Sequence, residues 1–285
     1  MNKRVILILI MLFSLSISKA QENQWELANN GIRNVAREVY TITIQDSTIL
    51  AGTSWEGIFQ STNNGESWNQ IITYPNYYAY TLVTTNNAIF AGTSWGVFVS
   101  IDGGNNWNRK SLGGADNPVN KLVVNDTNVY AGTNKGFYIT TDNGNSWTLK
   151  RLGLDTAAIY TIAINKNNIY AGSKNGIYVS TDNGNNWLYK NLDSDGKYVF
   201  SLAINGNTIY VGTDNGFYTS TDNGDNWIQK NSGLGSTYIS AIMINNNKIY
   251  IGTEGGIYQT TDEDSSWTLI RKTSGMDYIR IYTLV

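Results

Sequence analysis

The apolar positions of this chain come in short bursts between turn-forming residues. One stretch shows the arrangement in full. "YTIAIN" (Tyr160 to Asn165), "NIYAGS" (Asn168 to Ser173), "GIYVST" (Gly176 to Thr181) and "NWLYK" (Asn186 to Lys190) are rich in Ile, Val, Tyr and Thr. Runs of that length and composition, bounded by Asn, Asp and Gly, predict strands. The Asn-rich turn after the first run suits the positive φ of a tight hairpin. Gly172 falls where neighbouring backbone could approach closely. After the first twenty residues no segment sustains a helical period.

The four-run unit repeats. Tryptophans stand at Trp107, Trp147, Trp187, Trp227 and Trp267, a step of 40. Trp68 precedes Trp107 by 39, because "SWEGIF" carries one more residue than "SWGVF". A period near 40 suits one four-stranded propeller blade. The expected architecture is therefore all-β, a β-propeller of four-stranded blades. The middle runs occur six times. The first-strand pattern occurs a seventh time near Tyr282, and the tryptophan strand a seventh time at "QWEL" around Trp25. The expectation is six complete repeats plus a partial seventh. Either six blades close alone with both ends spare, or a seventh blade is half present and the chain is a fragment of something longer.

A polar octet precedes each tryptophan: "STNNGESW", "SIDGGNNW", "TTDNGNSW", "STDNGNNW", "STDNGDNW" and "TTDEDSSW". Asp102, Asp142, Asp182, Asp222 and Asp262 hold its acid position, with Asn63 in the first copy. An aspartate there accepts hydrogen bonds from the turn's own N–H groups. Gly184 supplies a left-handed residue. The tryptophan leaves the turn as an apolar wedge whose burial is worth about 4–6 kcal/mol as an upper estimate. Repetition favours a framework role, since a reagent is needed once and a frame once per blade. Lys110, Lys150, Lys190 and Lys230 each follow a tryptophan by three residues, where a lysine on an outermost strand discourages edge pairing.

The Ser/Thr-x-Asp-x-Gly-x-x-Trp pattern resembles the Asp-box, or bacterial neuraminidase repeat, of sialidases, sortilin-type receptors, certain xyloglucan-degrading enzymes and photosystem assembly factors. The resemblance spans nearly all of the chain after residue 20. It implies a propeller in which the box is a structural turn away from the working face. Asn63 departs from the pattern but still accepts a hydrogen bond. Asp264 replaces the glycine, which implies a strained or reshaped turn.

Composition narrows the chemistry. Lys3 and Arg4, an apolar run and "SKA" read as a signal peptide over residues 1–20, cleaved after Ala20. The single propeller domain then covers 21–285, and its location is secreted, periplasmic or cell-surface. No later run is long enough to span a bilayer. Losing Lys3, Arg4 and Lys19 takes the formal charge from −2 to −5, and no basic patch suggests nucleic acid. The absence of cysteine and histidine removes disulfides, Ser-His-Asp and Cys-His nucleophiles and the common His-ligated zinc sites. No cofactor or metal is expected.

The turn between second and third strands varies while its flanks do not: "SWE", "SW", "NK", "KN", "DN" and "EG". Constant frame with variable loops is how a scaffold carries function. Trp55 and Trp95 occupy that turn in adjacent blades, and "TYPNYYAY" adds Tyr74, Tyr77 and Tyr78. This sector is the candidate binding site for a glycan or protein. No catalytic residue is assigned. Arg33, Arg37, Arg109, Arg151, Arg271 and Arg280 do not form a recognisable sialidase triad. Glu56, Asp214 and Glu254 share equivalent loops, so a glycosidase carboxylate pair about 5–10 Å apart stays open. The readings are a noncatalytic binding module, an Asp-box glycoside hydrolase, or an assembly or adhesion module of a longer surface protein.

Overall fold

The computed structural model describes residues 38–72, 78–114, 117–150, 157–174, 176–192, 198–245, 248–261 and 266–272. They form six blades, each a four-stranded antiparallel meander. The first blade is β1 (Val39–Gln45), β2 (Thr48–Thr53), β3 (Ile58–Ser61) and β4 (Asn69–Ile72). The second is β5 (Ala79–Thr84), β6 (Ile89–Thr93), β7 (Gly96–Ser100) and β8 (Asn108–Lys110). The third is β9 (Val119–Asn125), β10 (Asn128–Thr133), β11 (Gly136–Thr140) and β12 (Thr148–Lys150). The fourth is β13 (Ile159–Asn165), β14 (Asn168–Ser173), β15 (Gly176–Ser180) and β16 (Leu188–Asn191). The fifth is β17 (Val199–Asn205), β18 (Thr208–Thr213), β19 (Gly216–Ser220) and β20 (Ile228–Gln229). The sixth is β21 (Ile239–Asn245), β22 (Lys248–Thr253), β23 (Gly256–Thr260) and β24 (Thr268–Lys272). Trp25, Asp262, Asp264 and Tyr282 lie outside the described residues, and with them the partial seventh repeat. Among the described residues no helix is long and apolar enough to cross a membrane.

The first strands β1, β5, β9, β13, β17 and β21 pack in succession around the axis of a propeller ring. The core lies between blades rather than within them. Leu50 and Ile58 of the first blade meet Leu82, Ile89 and Phe98 of the second. Tyr170 and Ile177 of the fourth meet Val199, Ile209 and Val211 of the fifth. Near the axis the blades come very close. A Cβ on Gly92 would stand 2.7 Å from Val119 Cγ1 in the next blade, a distance that real Cβ atoms do not occupy. The residue must be glycine for blade two to seat against blade three. Thr41 Oγ1 and Thr81 Oγ1 accept from the N–H of Leu82 and Leu122 across two such seams, at 3.3 and 3.1 Å.

Toward the rim the gap widens and aromatic rings fill it. Phe90 meets Trp147, Phe137 meets Trp187 and Phe217 meets Trp267 edge-on, with centroids 6.5, 4.9 and 4.9 Å apart. In each pair the phenylalanine precedes the tryptophan by one blade. Trp68 and Trp267 are buried, whereas Trp107, Trp147, Trp187 and Trp227 are half-buried. The wedge therefore contributes unequally around the ring.

The aspartate turns join third to fourth strands at one end. In the fourth blade Ser180 Oγ donates to Asp182 Oδ1 at 2.9 Å and accepts from the Gly184 N–H at 2.8 Å. Asp182 Oδ1 accepts from the Asn186 N–H at 2.8 Å, and Oδ2 accepts from Asn186 Nδ2 at 2.6 Å. Two consecutive residues, Asn183 and Gly184, take φ of 58° and 81°. Asparagine tolerates the left-handed region because its short polar side chain bonds locally. Asn63 reproduces the network, accepting from Ser61 Oγ and the Ser67 N–H at 2.9 and 3.0 Å. In the hairpin turn between β13 and β14 the left-handed residue is Lys166, φ 55°, rather than the asparagines beside it. The rim lysines do more than guard an edge. Lys150 Nζ donates to Asn185 Oδ1 of the next blade's turn at 3.1 Å, and the Lys190 ammonium pairs with Asp225 of the next.

Those hydrogen bonds hold the carboxyls of Asp142, Asp182 and Asp222 down to about 2. For Asp182 the Asn186 N–H is the largest cause. A depressed carboxylate stabilises the fold above its unfolded pKa of about 3.9, and this is lost as pH falls toward about 2. The stability gap between wild type and an Asp142→Asn, Asp182→Asn, Asp222→Asn variant should thus be full at roughly pH 6 and close between about pH 4 and 2, measured by thermal melts. A gap that is constant with pH would contradict this. Gly92→Ala should cost about 1–3 kcal/mol by overpacking the seam. Trp68→Ala should cost about 3–5 kcal/mol and Trp187→Ala less, in proportion to burial. Urea unfolding measures all three.

Candidate functional site

The end opposite the aspartate turns carries the loops from second to third strand and from each fourth strand to the next blade. There all six inner strands share one irregularity. The register of β1 against β2 jumps from Val39 to Thr41, and the same jump recurs in the other five blades. The residue left over is Tyr40, Tyr80, Asn120, Tyr160, Phe200 or Ser240. A bulge of this kind bends a strand and re-aims one side chain. Here it brings neighbouring inner-strand residues together at the mouth of the axis. The Tyr40 and Tyr80 rings lie 5.4 Å apart and those of Tyr160 and Phe200 6.2 Å apart.

The bulged residues anchor two aromatic clusters. In the first, Tyr78 stacks on Tyr80 at 5.8 Å and 12°, and Trp55 packs on Tyr78 at 5.2 Å. In the second, Tyr198 stacks on Phe200 at 5.9 Å and 6°, and Tyr238 packs on Phe200 at 5.0 Å. The Lys174 ammonium lies 5.4 Å from the Tyr198 centroid, within cation–π range. Trp55 and Lys174, one loop position apart in the repeat, each reach from one blade's outer loop to an aromatic residue at the entry of the next. Asn120, between the clusters, donates through Nδ2 to Asn134 Oδ1 and to the Ile159 carbonyl, both at 2.9 Å. The rings named here are half-buried, except that Trp55 is 44% exposed.

In the first, second, third and fifth blades hydrogen bonds tie the entry segment to that blade's own loop. Ser54 donates its N–H to the Glu38 carbonyl at 2.9 Å, and Glu38 returns its N–H to Ser54 Oγ at 3.0 Å. Tyr40 OH donates to Glu38 Oε2 at 2.7 Å. The Tyr198 N–H donates to Asp214 Oδ1 at 3.3 Å. Burial pushes the Tyr80 phenol up, with Tyr78 adding to it, and burial pushes up Tyr160, with Tyr198 adding. Lys121, one residue past the Asn120 bulge, takes the place that Thr41 and Thr81 hold in their strands, and burial lowers its pKa.

Trp55 and Trp95 differ in setting. Trp55 sits at φ 69°, in the left-handed region that a bulky side chain rarely adopts. Glu56, the extra residue of that loop, shifts the following left-handed glycine to Gly57, φ 79°. Strain of this kind costs about 1–2 kcal/mol and clusters at functional sites. Trp95, 42% exposed, carries the Arg109 guanidinium over its ring at 5.6 Å, and Arg109 Nε donates to the Trp95 carbonyl at 2.8 Å. It reaches the first cluster through its neighbour Ser94, whose N–H donates to the Tyr78 carbonyl at 3.1 Å. The structure thus joins Trp55 to Tyr78. Tyr74 and Tyr77 lie outside the described residues.

Sequence reasoning passed over Tyr40, Tyr80, Tyr160, Tyr198, Phe200 and Tyr238. For Tyr40, Tyr80, Tyr160 and Phe200 the signal was present, since one inner-strand position reads Tyr, Tyr, Asn, Tyr, Phe, Ser where its neighbours, Lys121 aside, are aliphatic or small. It was absorbed into the strand pattern because alternation alone does not reveal a bulge. Of the loop acids, Asp214 is tied to the Tyr198 backbone, and Glu56 Oε2 is buried without a hydrogen-bond partner. Among the described residues there is no group of three or more acidic side chains placed to hold a metal.

The sequence matches no protein-family model and no curated protein. Solved structures share the architecture. The extracellular domain of a hybrid two-component system from B. thetaiotaomicron is 18% identical with a TM-score of 0.73, covering 89% of this chain and 36% of that one. An ancestral GH74 enzyme is 21% identical with a TM-score of 0.67, covering 82% and 38%. YCF48 bound to D1 peptide is 13% identical with a TM-score of 0.62, covering 80% and 79%. The chain thus spans little more than a third of the first two and most of the third. At these identities the likeness establishes the β-propeller fold.

Proposed function

We propose that this chain is a secreted, noncatalytic propeller of the Asp-box kind that binds a glycan or polypeptide at the aromatic mouth. The observation that carries the reading is the repeated bulge. Six copies of one backbone device fall at the same inner-strand position, and four of the six residues there are aromatic. A frame needs the bulge; it does not need tyrosine or phenylalanine there. Flat aromatic faces with protonated phenol donors suit sugar rings and the side chains of an extended peptide alike. An extracellular domain among the structural neighbours supports a place outside the cell, and a peptide-bound propeller supports binding. The strained Trp55 supports a role for that loop beyond closing a hairpin.

The hydrolase reading has the GH74 neighbour in its favour. It requires two opposed carboxylates at the mouth, and Asp214 is committed to a backbone N–H.

The test is a glycan array and a peptide library screened with wild type, Trp55→Gly and Tyr160→Ala. Glycine keeps the left-handed backbone of residue 55 while removing the ring. Each substitution should weaken binding by about tenfold or more, the loss of roughly 1.4 kcal/mol, with little change in melting temperature. Unchanged affinity in both variants would reject the mouth as the site. Release of reducing ends from a polysaccharide panel would favour the hydrolase.

A further inference from the structure

One inner-strand position breaks its own pattern. Through the six blades it reads Thr41, Thr81, Lys121, Thr161, Ser201 and Ala241. The small residues there are all buried. Lys121 stands opposite Gly132, as Thr41 stands opposite Gly52 and Thr81 opposite Gly92. A frame that takes threonine, serine or alanine at this place has no need of lysine.

Lysine also costs the frame. Thr41 Oγ1 and Thr81 Oγ1 accept from the Leu82 and Leu122 N–H groups of the next blade. Ile162 is the counterpart of those leucines, opposite Ala171 as they are opposite Ala91 and Ala131. An ammonium carries three donors and no acceptor, so the seam between the third and fourth blades forgoes that bond. The ammonium is desolvated, which lowers its pKa, and no neighbouring charge offsets the loss. Among the described residues Lys121 has neither a hydrogen bond nor an ion pair. Glu38 and Asp214, acids at the same end of the ring, are engaged by the Tyr40 hydroxyl and the Tyr198 N–H. A cation withdrawn from water without a partner is costly, and groups of this kind gather at functional sites.

We propose that Lys121 receives the carboxylate of an acidic sugar bound at the aromatic mouth, an assignment that rests on the mouth being the binding site. Tyr160, on the neighbouring inner strand, and Tyr198 have ring centroids 5.6 Å apart. Among the described residues neither hydroxyl has a hydrogen-bond partner. A pyranose needs flat apolar faces for its C–H groups and polar tips for its hydroxyls, and these two rings carry both. Lys174, over the Tyr198 ring, adds a second cation to the group. An extended peptide would seek amide partners for its main chain, whereas Asn120 has spent its donors on Asn134 and the Ile159 carbonyl. Ring faces, hydroxyls and an ammonium are what remain free.

The probes are galacturonate and glucuronate oligosaccharides and the same oligomers as methyl esters, which keep the ring and lose the charge. By titration calorimetry the full-length chain should bind an acid about tenfold or more tightly than its ester, and the difference should shrink as salt rises. Lys121→Thr, the residue of three other blades, and Lys121→Met, which keeps the stem, should each lower the acid's affinity to that of the ester. Lys121→Thr should melt no lower than wild type. Equal affinity for acid and ester in wild type overturns the proposal, as do no binding of either and a preference that survives both substitutions. A lower melting temperature in both variants also overturns it, by making Lys121 part of the frame. Binding of an acidic peptide that depends on Lys121, with no sugar bound, overturns it by assigning the site to a polypeptide. The mouth reading fails separately, when Trp55→Gly and Tyr160→Ala bind acid and ester as wild type does; that result overturns the placement of the sugar at the mouth as well.

Discussion

Each blade of this protein is apolar on both faces, so none can stand without a neighbour on either side. Leu50 and Ile58 look one way from the first blade, and Ile42, Ile49 and Phe59 look the other. A four-stranded sheet normally keeps one face for water. Here that option is gone, and a ring is the arrangement that satisfies every blade. The wedge shape follows from side-chain size. Glycine near the axis lets Val119 of the next blade approach Gly92 closely, while Phe137 and Trp187 fill the wider gap toward the rim.

The two ends of the ring are under different constraints. At one end the aspartate turn must place two left-handed residues and satisfy several N–H groups, and a serine–aspartate–glycine network does this in a fixed way. Little can vary there. At the other end the bulge is fixed but the residue type in it varies, because the register skips that position and sets no Cα partner opposite it. Stability therefore concentrates at one end and diversity at the other. The aromatic clusters, Asn120 and Lys174 are all on the diverse side.

That separation also explains how Trp55 is tolerated in a strained conformation. The loop holding it is braced by Thr53 Oγ1 donating to the Gly57 carbonyl at 3.0 Å and by Gln70 Nε2 donating to the Glu56 carbonyl at 2.7 Å. The ring gains contact with Tyr78 in return. A rigid frame can hold a few costly residues where they are useful.

The sequence alone determined the β-propeller class, the four-stranded unit and its step of 40, because turn chemistry and apolar bursts are local properties repeated six times. It also separated the constant turns from the variable ones, and so pointed to the end where Trp55 and Tyr78 meet. Three things were decided only by the tertiary structure. The bulges that carry Tyr40, Tyr80, Tyr160 and Phe200 and bring their rings together come from pairing register, which a single strand does not encode. The contacts of Lys150 and Lys190 with the next blade's turn join residues 35 apart, a distance set by blade stacking. The unequal burial of the six tryptophans reflects which neighbour each one meets, and six near-identical octets carry no record of that.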